Sequence, residues 1–304
     1  MKEKNVSLVF NLYQPNLNLL ERILKALENQ KSDYYIEFIV VNKKMNDESI
    51  EFVNRFKKKS KKMIIKVIKV DENLSFASSM NIGLKAAKQE IVVVLQQDCV
   101  PSNELWLSNL IKPFDDEEVV ATVSKVQFPE ELWNRLDSRA QAIMLQEKGT
   151  ITPLLDEKGC AYRLSVFKKL GLFNDRDFRT AGEDFDLYIK LKKEGKIIYP
   201  DSTILHFHPT DFKTRLEKIT QYANGFGTLV RMHGNKMPRW YVGFLKAIPI
   251  IGLPAFIISY PFNKGFSLYP HYLALTPMLH FNYIKGFWKG FLSGSQSVDV
   301  FKKN

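Results

Sequence analysis

The sequence predicts an α/β fold, a parallel sheet covered by helices, on three observations. Apolar, β-branched runs alternate with amphipathic helical stretches along the first half of the chain, the alternation that builds parallel sheets. The runs are nearly all apolar rather than alternately polar, as strands buried on both faces are. The 304 residues, 45% hydrophobic and 25% charged, are a globular composition long enough for a large core.

Residues 6–12 read as the first strand. Residues 16–29 follow as a helix, with Leu17, Leu20, Leu24 and Leu27 at helical spacing. The pattern repeats as strand 36–41, helix 47–58, strand 64–70, helix 76–88 and the fully apolar strand 91–95. Helix 103–114 and strand 119–124 continue it. Residues 125–152 have no clear period, although Trp133 and Met144 sit in a stretch read as helical. A strand at 160–164, a helix at 165–170, a helix start at 182–184, a short strand at 197–199 and a helix at 213–232 complete the body.

After Pro238 the composition changes. Residues 247–262 and 265–284 are 16 and 20 residues without a charge, interrupted by Pro249, Pro254 and Pro261, and by Pro270 and Pro277. A membrane span needs about 20 mostly apolar residues, so two short spans, a re-entrant hairpin or an interfacial one are expected. Trp240, Tyr260, Tyr269, Tyr283 and Trp288, with Arg239, Lys285 and Lys289, are of the types that anchor at an interface. A buried helical pair is the alternative. The division is therefore a body, residues 1–235, and a basic, aromatic-rich helical tail, residues 236–304.

The net charge of +11 is uneven. From Arg231 onward nine basic residues face one acid, so +8 lies there and +3 elsewhere. A basic tail rich in apolar residues points to an anionic membrane surface, not to a nucleic-acid groove. Cys99 and Cys160 stand alone, with no metal-site or disulfide spacing, and read as reduced thiols. The apolar run at 6–13 is too short for a signal peptide, so the body is expected at the cytoplasmic face of the cell membrane.

Ligands of parallel α/β sheets bind beyond the carboxyl ends of the strands. There the chain reads Gln96-Gln97-Asp98-Cys99-Val100-Pro101. Asp98 can hold a divalent cation bridging a diphosphate, or cap the turn before Pro101. Glu183 and Asp184, following Gly182, are helix N-terminal acids favoured by the dipole or include a general base. His206 and His208, two apart in a strand, share a face, and imidazole suits a cation such as Mn2+.

Six segments in order carry a resemblance: 6–14, 37–42 ending in Asn42, 73–83 with Asn73 and Asn81, 95–101, 182–187 and His206-Phe207-His208, followed by Tyr222-x-x-Gly225-x-Gly227. Over about residues 6–234 they resemble family 2 glycosyltransferases of the GT-A nucleotide-diphospho-sugar transferase fold, with its Rossmann-like mixed sheet. The resemblance implies that Asp98 binds Mn2+ or Mg2+ with His206, His208 in reserve, and that Asp184 is the base with Glu183 beside it. It places Tyr13, Asn42, Asn73, Asn81 and Gln97 at the nucleotide sugar, and takes 222–227 as a helix end. It implies inverting transfer of a hexosyl group from a nucleotide-diphospho-sugar donor to a lipid-linked or polysaccharide acceptor. Membrane lipids are expected partners and nucleic acid is not. Gln96 and Asn42 stand where the family tends to have Asp, which keeps a rival open: a catalytically inactive GT-A-fold carbohydrate-binding or partner protein. Lys43 and Lys44 are read as a solvated pair.

Overall fold

The structure, a computed structural model, describes residues 5–32, 34–179, 181–207, 211–237 and 239–293. Its packing falls into two units. The first takes residues 1–127, 150–173 and 190–207, the second 128–149, 174–189 and 208–304.

The first unit holds β1 (Asn5–Tyr13), α1 (Leu17–Glu28), β2 (Tyr35–Lys44), α2 (Asp47–Lys59), β3 (Met63–Lys69), α3 (Phe76–Ala86) and β4 (Ile91–Gln96). After them come β5 (Cys99–Pro101), α4 (Trp106–Ile111), β6 (Val119–Val123) and β7 (Lys125–Gln127). Asn16, Asn46 and Ser75 cap α1, α2 and α3 by accepting a backbone N–H of the first turn, which is why each helix starts where it does. In the second unit the chain forms α5 (Glu130–Trp133) and α6 (Ser138–Met144). It then returns to the first for β8 (Thr150–Ile151), β9 (Cys160–Arg163) and α7 (Leu164–Lys169). Helix α8 (Glu183–Leu191) opens in the second unit, and β10 (Lys196–Ile198) and β11 (Thr203–His206) end the first.

The main sheet has the order β10-β6-β9-β4-β1-β2-β3. It is mixed: β9 runs antiparallel between β4 and β6, and the other pairs are parallel. The alternation indicated only the parallel pairs, and the mixed sheet is the one the family resemblance implies. A second sheet, β5-β11-β7-β8, is built from strands of two to four residues. Trp106 fixes it to the core: its fully buried indole donates to Ser124 Oγ at 3.0 Å, and Ser202 Oγ donates to Trp106 O at 3.1 Å.

The second unit is helical. Besides α5, α6 and α8 it holds α9 (Phe212–His233), α10 (Trp240–Lys246), α11 (Gly252–Ile258) and α12 (Tyr269–Ser293). Helices α9 and α12 meet along glycine. A Cβ at Gly227 would strike Phe287 O, one at Gly286 would strike Thr220 O, and one at Gly290 would strike Asn224 O. Thr228 Oγ1 donates to Gly290 O at 3.2 Å across this seam. Phe128, Trp133, Met144, Tyr260, Tyr272 and Leu279 form one apolar cluster of the unit.

Within the expected tail, the described residues 239–293 pack with α5, α6 and α9. Among the described residues no helix is long and apolar enough to cross a membrane, so the expected membrane hairpin is not supported. The first apolar stretch holds one helix of seven residues, α11, set off from α10 by the turn at Pro249. The second continues through Pro277, a residue on the exposed side of α12, so the carbonyl it leaves without an amide partner stays accessible.

Candidate functional site

In the first unit the chain steps outward from β1 through β2 to β3, then returns to place β4 on the other flank of β1. The carboxyl ends of β1 and β4 thus adjoin at a topological switch point, where open α/β sheets bind ligands. Register puts Asn11 beside Gln96 there. One residue further, Tyr13 N–H donates to Gln97 Oε1 at 2.8 Å and Gln97 Nε2 donates to Tyr13 O at 2.9 Å.

The end of β1 is held from the other side as well. Its register against β2 breaks between Leu12 and Tyr13, Gln14 adopts φ 45°, and Gln14 N–H donates to Lys44 O at 2.6 Å. A positive φ outside glycine is a strained conformation of the sort found at ligand sites. Lys43 Nζ lies 5.3 Å from the centre of the Tyr13 ring, a cation–π contact, so Lys43 is not the purely solvated residue its sequence suggested. Lys44 pairs with Glu72 at 2.9 Å, and that carboxylate raises its pKa. Asn42 is buried on β2, between Leu12 and Lys69.

The metal candidates come from the next turn. β5 and β11 pair antiparallel with Cys99 opposite His206, and Phe207 N–H donates to Asp98 O at 2.7 Å. Directly opposed residues of such a pair share a face. Asp98 Oδ2 and His206 Nε2 lie 3.3 Å apart, although 108 residues separate them in sequence. The Cys99 thiol is 3.6 Å from Asp98 Oδ1, and one ligand atom from each of the three lies within 4.8 Å of the others. Burial, and then the Asp98 charge, push the thiol's pKa well up. A carboxylate beside an imidazole is a donor pair that fits a divalent cation, and the Cys99 thiol is the softer neighbour of the two. Sequence reading missed Cys99, and its only signal is the β5–β11 register. His208 lies outside the described residues.

Of two other residues expected at the nucleotide, Asn81 has a structural duty. The Asn81 amide is fully engaged by the main chain of Phe173, donating to its O at 2.8 Å and accepting from its N–H at 3.1 Å. Gly83, two residues on, has no room for a Cβ against Val9 and Val41; here the segment ending in Asn81-Ile82-Gly83 packs α3 on the sheet. Asn73 is exposed, and its N–H donates to Asp71 Oδ1 at 2.8 Å.

Glu183 and Asp184 belong to the second unit. They open α8 after Gly182, whose φ of 103° suits glycine and where a Cβ would stand 2.9 Å from the Phe178 ring. Glu183 is buried and Asp184 half-buried. Asp184 Oδ1 accepts from Phe185 N–H at 2.7 Å. The third acid of this turn, Asp186, is 1% exposed and meets His233 Nε2 at 2.7 Å. Gly225 and Gly227 lie inside α9 rather than at a helix end, and a Cβ on Gly225 would collide with Ala181 O. Close backbone approach, not helix termination, is the reason for them.

These features define a Rossmann-like mixed α/β protein with an acid and an imidazole poised for a cation near the switch point of its sheet. Residues 9–171 match the family described as Glycosyl transferase family 2, which is more than half of the chain, and the chain belongs to that family. Among solved structures it is similar to the mannosyltransferase PcManGT from Pyrobaculum calidifontis in complex with GDP-Man and Mn2+, with 16% identity and a TM-score of 0.65 over 93% of this chain and 87% of that one. It is also similar to GalNAc-T7 with UDP, GalNAc and Mn2+, with 16% identity and a TM-score of 0.58 over 96% of this chain and 56% of that one. At such identities the likeness establishes the fold, which is GT-A. No curated protein matches the chain.

Proposed function

We propose that the chain is an inverting, metal-assisted glycosyltransferase. It moves a hexosyl group from a nucleoside-diphosphate sugar to a lipid-linked or polysaccharide acceptor, at the cytoplasmic face of the cell membrane. The observation that carries this reading is the Asp98–His206 pair at 3.3 Å, close to the switch point of a family 2 sheet. The similar structures hold GDP-Man or UDP together with Mn2+, which supports a nucleotide-sugar donor and a divalent cation here.

Asp98 and His206 are the residues that would hold the cation, with the Cys99 thiol beside them. When bound, the cation stabilises the negative charge of the leaving diphosphate. Tyr13, fixed by Gln97 and Gln14, together with Lys43 and Asn42, forms the floor on which the nucleotide rests. Asp184 accepts the proton of the acceptor hydroxyl as that oxygen bonds to the anomeric carbon. The bond to the diphosphate oxygen breaks on the opposite face, so configuration inverts.

Thermal unfolding against UDP, GDP and dTDP, each with and without Mn2+, tests the reading in wild type and Asp98→Ala. At 100 times its dissociation constant a ligand stabilises by about 2.7 kcal/mol, roughly 5–10 °C for a protein of this size. One nucleotide should raise the midpoint only with Mn2+, and Asp98→Ala should abolish the rise. No shift with any of them would give first place to an inactive binding protein, for which Gln96 in place of a carboxylate is the argument.

A further inference from the structure

The second unit concentrates its exposed apolar side chains in one stretch of chain. Among the described residues seven large hydrophobics are more than 60% exposed, and six of them are Ile250, Ile251, Ile258, Phe266, Phe281 and Leu292. The same stretch lies within 81 residues, from Lys218 to Val298, that contain eight lysines and arginines and no carboxylate. Exposed apolar surface of this extent marks an interaction site, and the one-sided charge selects an anionic partner.

Its sharpest feature is a turn. Ile251 N–H donates to Pro249 O at 2.7 Å around Ile250, whose φ is 65°. This is a three-residue turn with positive φ at its centre, a strained form, and a β-branched residue there is a real outlier. The strain holds Ile250 outward, 84% exposed. The turn is rigidly seated on α12: Trp288 Nε1 donates to Ala247 O at 2.8 Å, and His280 Nε2 lies 3.0 Å from Lys246 O. Beside it, the outer row of α12 at every fourth residue reads Leu273, Pro277, Phe281, Lys285 and Lys289, all exposed. Apolar residues fill the first half of that row and cations the second, so one exposed side of α12 offers both of the groups that bind an anionic bilayer surface.

We propose that α10, α11 and α12 form a face that lies on an anionic phospholipid bilayer, with the Ile250–Ile251 turn entering the headgroup layer and Lys285 and Lys289 meeting lipid phosphates. No described helix crosses a membrane, so this face binds the bilayer from one side. The inference supplies the means of attachment for the membrane-facing transferase proposed above and rests on that reading for its purpose. Its readout needs no sugar transfer, so the two can fail separately.

The test is flotation of the full chain with vesicles of phosphatidylcholine alone or with about 30% phosphatidylglycerol, at low and at high salt. Wild type should float with the anionic vesicles, less at high salt. Ile250→Ser with Ile251→Ser should weaken binding by about tenfold or more. Lys285→Ser with Lys289→Ser should weaken it and flatten its salt dependence. Ile250→Gly separates attachment from folding, because glycine accepts the positive φ: its melting temperature should hold or rise while its vesicle affinity falls. Wild type that floats with neither vesicle would overturn the proposal. So would serine variants that float as wild type does, or a chain that is dimeric in solution and becomes monomeric when Ile250 and Ile251 are replaced.

Discussion

Replacing Gln97 tests whether the switch point is built by a clamp or by a donor contact. The amide makes two hydrogen bonds to the Tyr13 main chain, at 2.8 and 2.9 Å, and Gln97→Ala removes both. A neutral hydrogen bond contributes about 1 kcal/mol net, so the loss is about 2 kcal/mol, rising toward about 6 if both Tyr13 groups were sealed from water. Tyr13 is half-buried, which favours the lower figure. At roughly 2–4 °C per kcal/mol for bodies of this size, the midpoint should fall by about 4–8 °C. Gln97→Glu is the more discriminating variant. Its carboxylate still accepts from Tyr13 N–H but turns an oxygen toward Tyr13 O, so at neutral pH it should be no more stable than the alanine variant. Below the ordinary glutamate pKa of about 4.3 protonation restores a donor, and the gap to wild type should narrow. Differential scanning fluorimetry from about pH 3 to about pH 7 reads all three proteins. If Gln97→Ala lost donor affinity at an unchanged midpoint, Gln97 would be a donor contact and the clamp argument would be wrong.

The seam between α9 and α12 predicts that Gly290→Ala costs about 1–3 kcal/mol, since its Cβ would meet Asn224 O on a helix backbone that cannot swing aside. The about 1 kcal/mol that alanine gains in helix propensity does not offset it, and chemical denaturation should show a net loss. Asp211 caps α9 by accepting from Thr214 N–H at 2.9 Å, and Asp211→Ala should cost about 1 kcal/mol at neutral pH. Bonds from the Thr214 side chain and backbone hold the Asp211 pKa below its ordinary 3.8. A depressed folded pKa gives stability that is complete above the unfolded value and lost as pH falls through the folded one. The difference from wild type should therefore persist at pH 5 and close below pH 4, as read by urea titrations at each pH.

The first half of the fold was legible because its elements obey local rules. The leucines of α1 at helical spacing and the unbroken apolar run of β4 each specify an element without reference to the rest of the chain. The second sheet was not legible for the opposite reason. Strands of two to four residues carry too little periodicity to be seen, and β5 exists only because β11, some hundred residues away, completes its ladder. His206 and Asp98 could be singled out by residue type, but Cys99 could not, because only that ladder turns its thiol to their side. The tail was misread as a possible pair of spans because a charge-free count of 16 or 20 residues measures hydrophobicity alone. What decides its fate is where small residues fall: Gly227, Gly286 and Gly290 let α12 approach α9 to backbone contact, and a helix so engaged has one face committed to protein. The residues left over on its outer row and on the Ile250 turn are exposed, apolar in one part and basic in another. They are the residues that the proposed bilayer face would use.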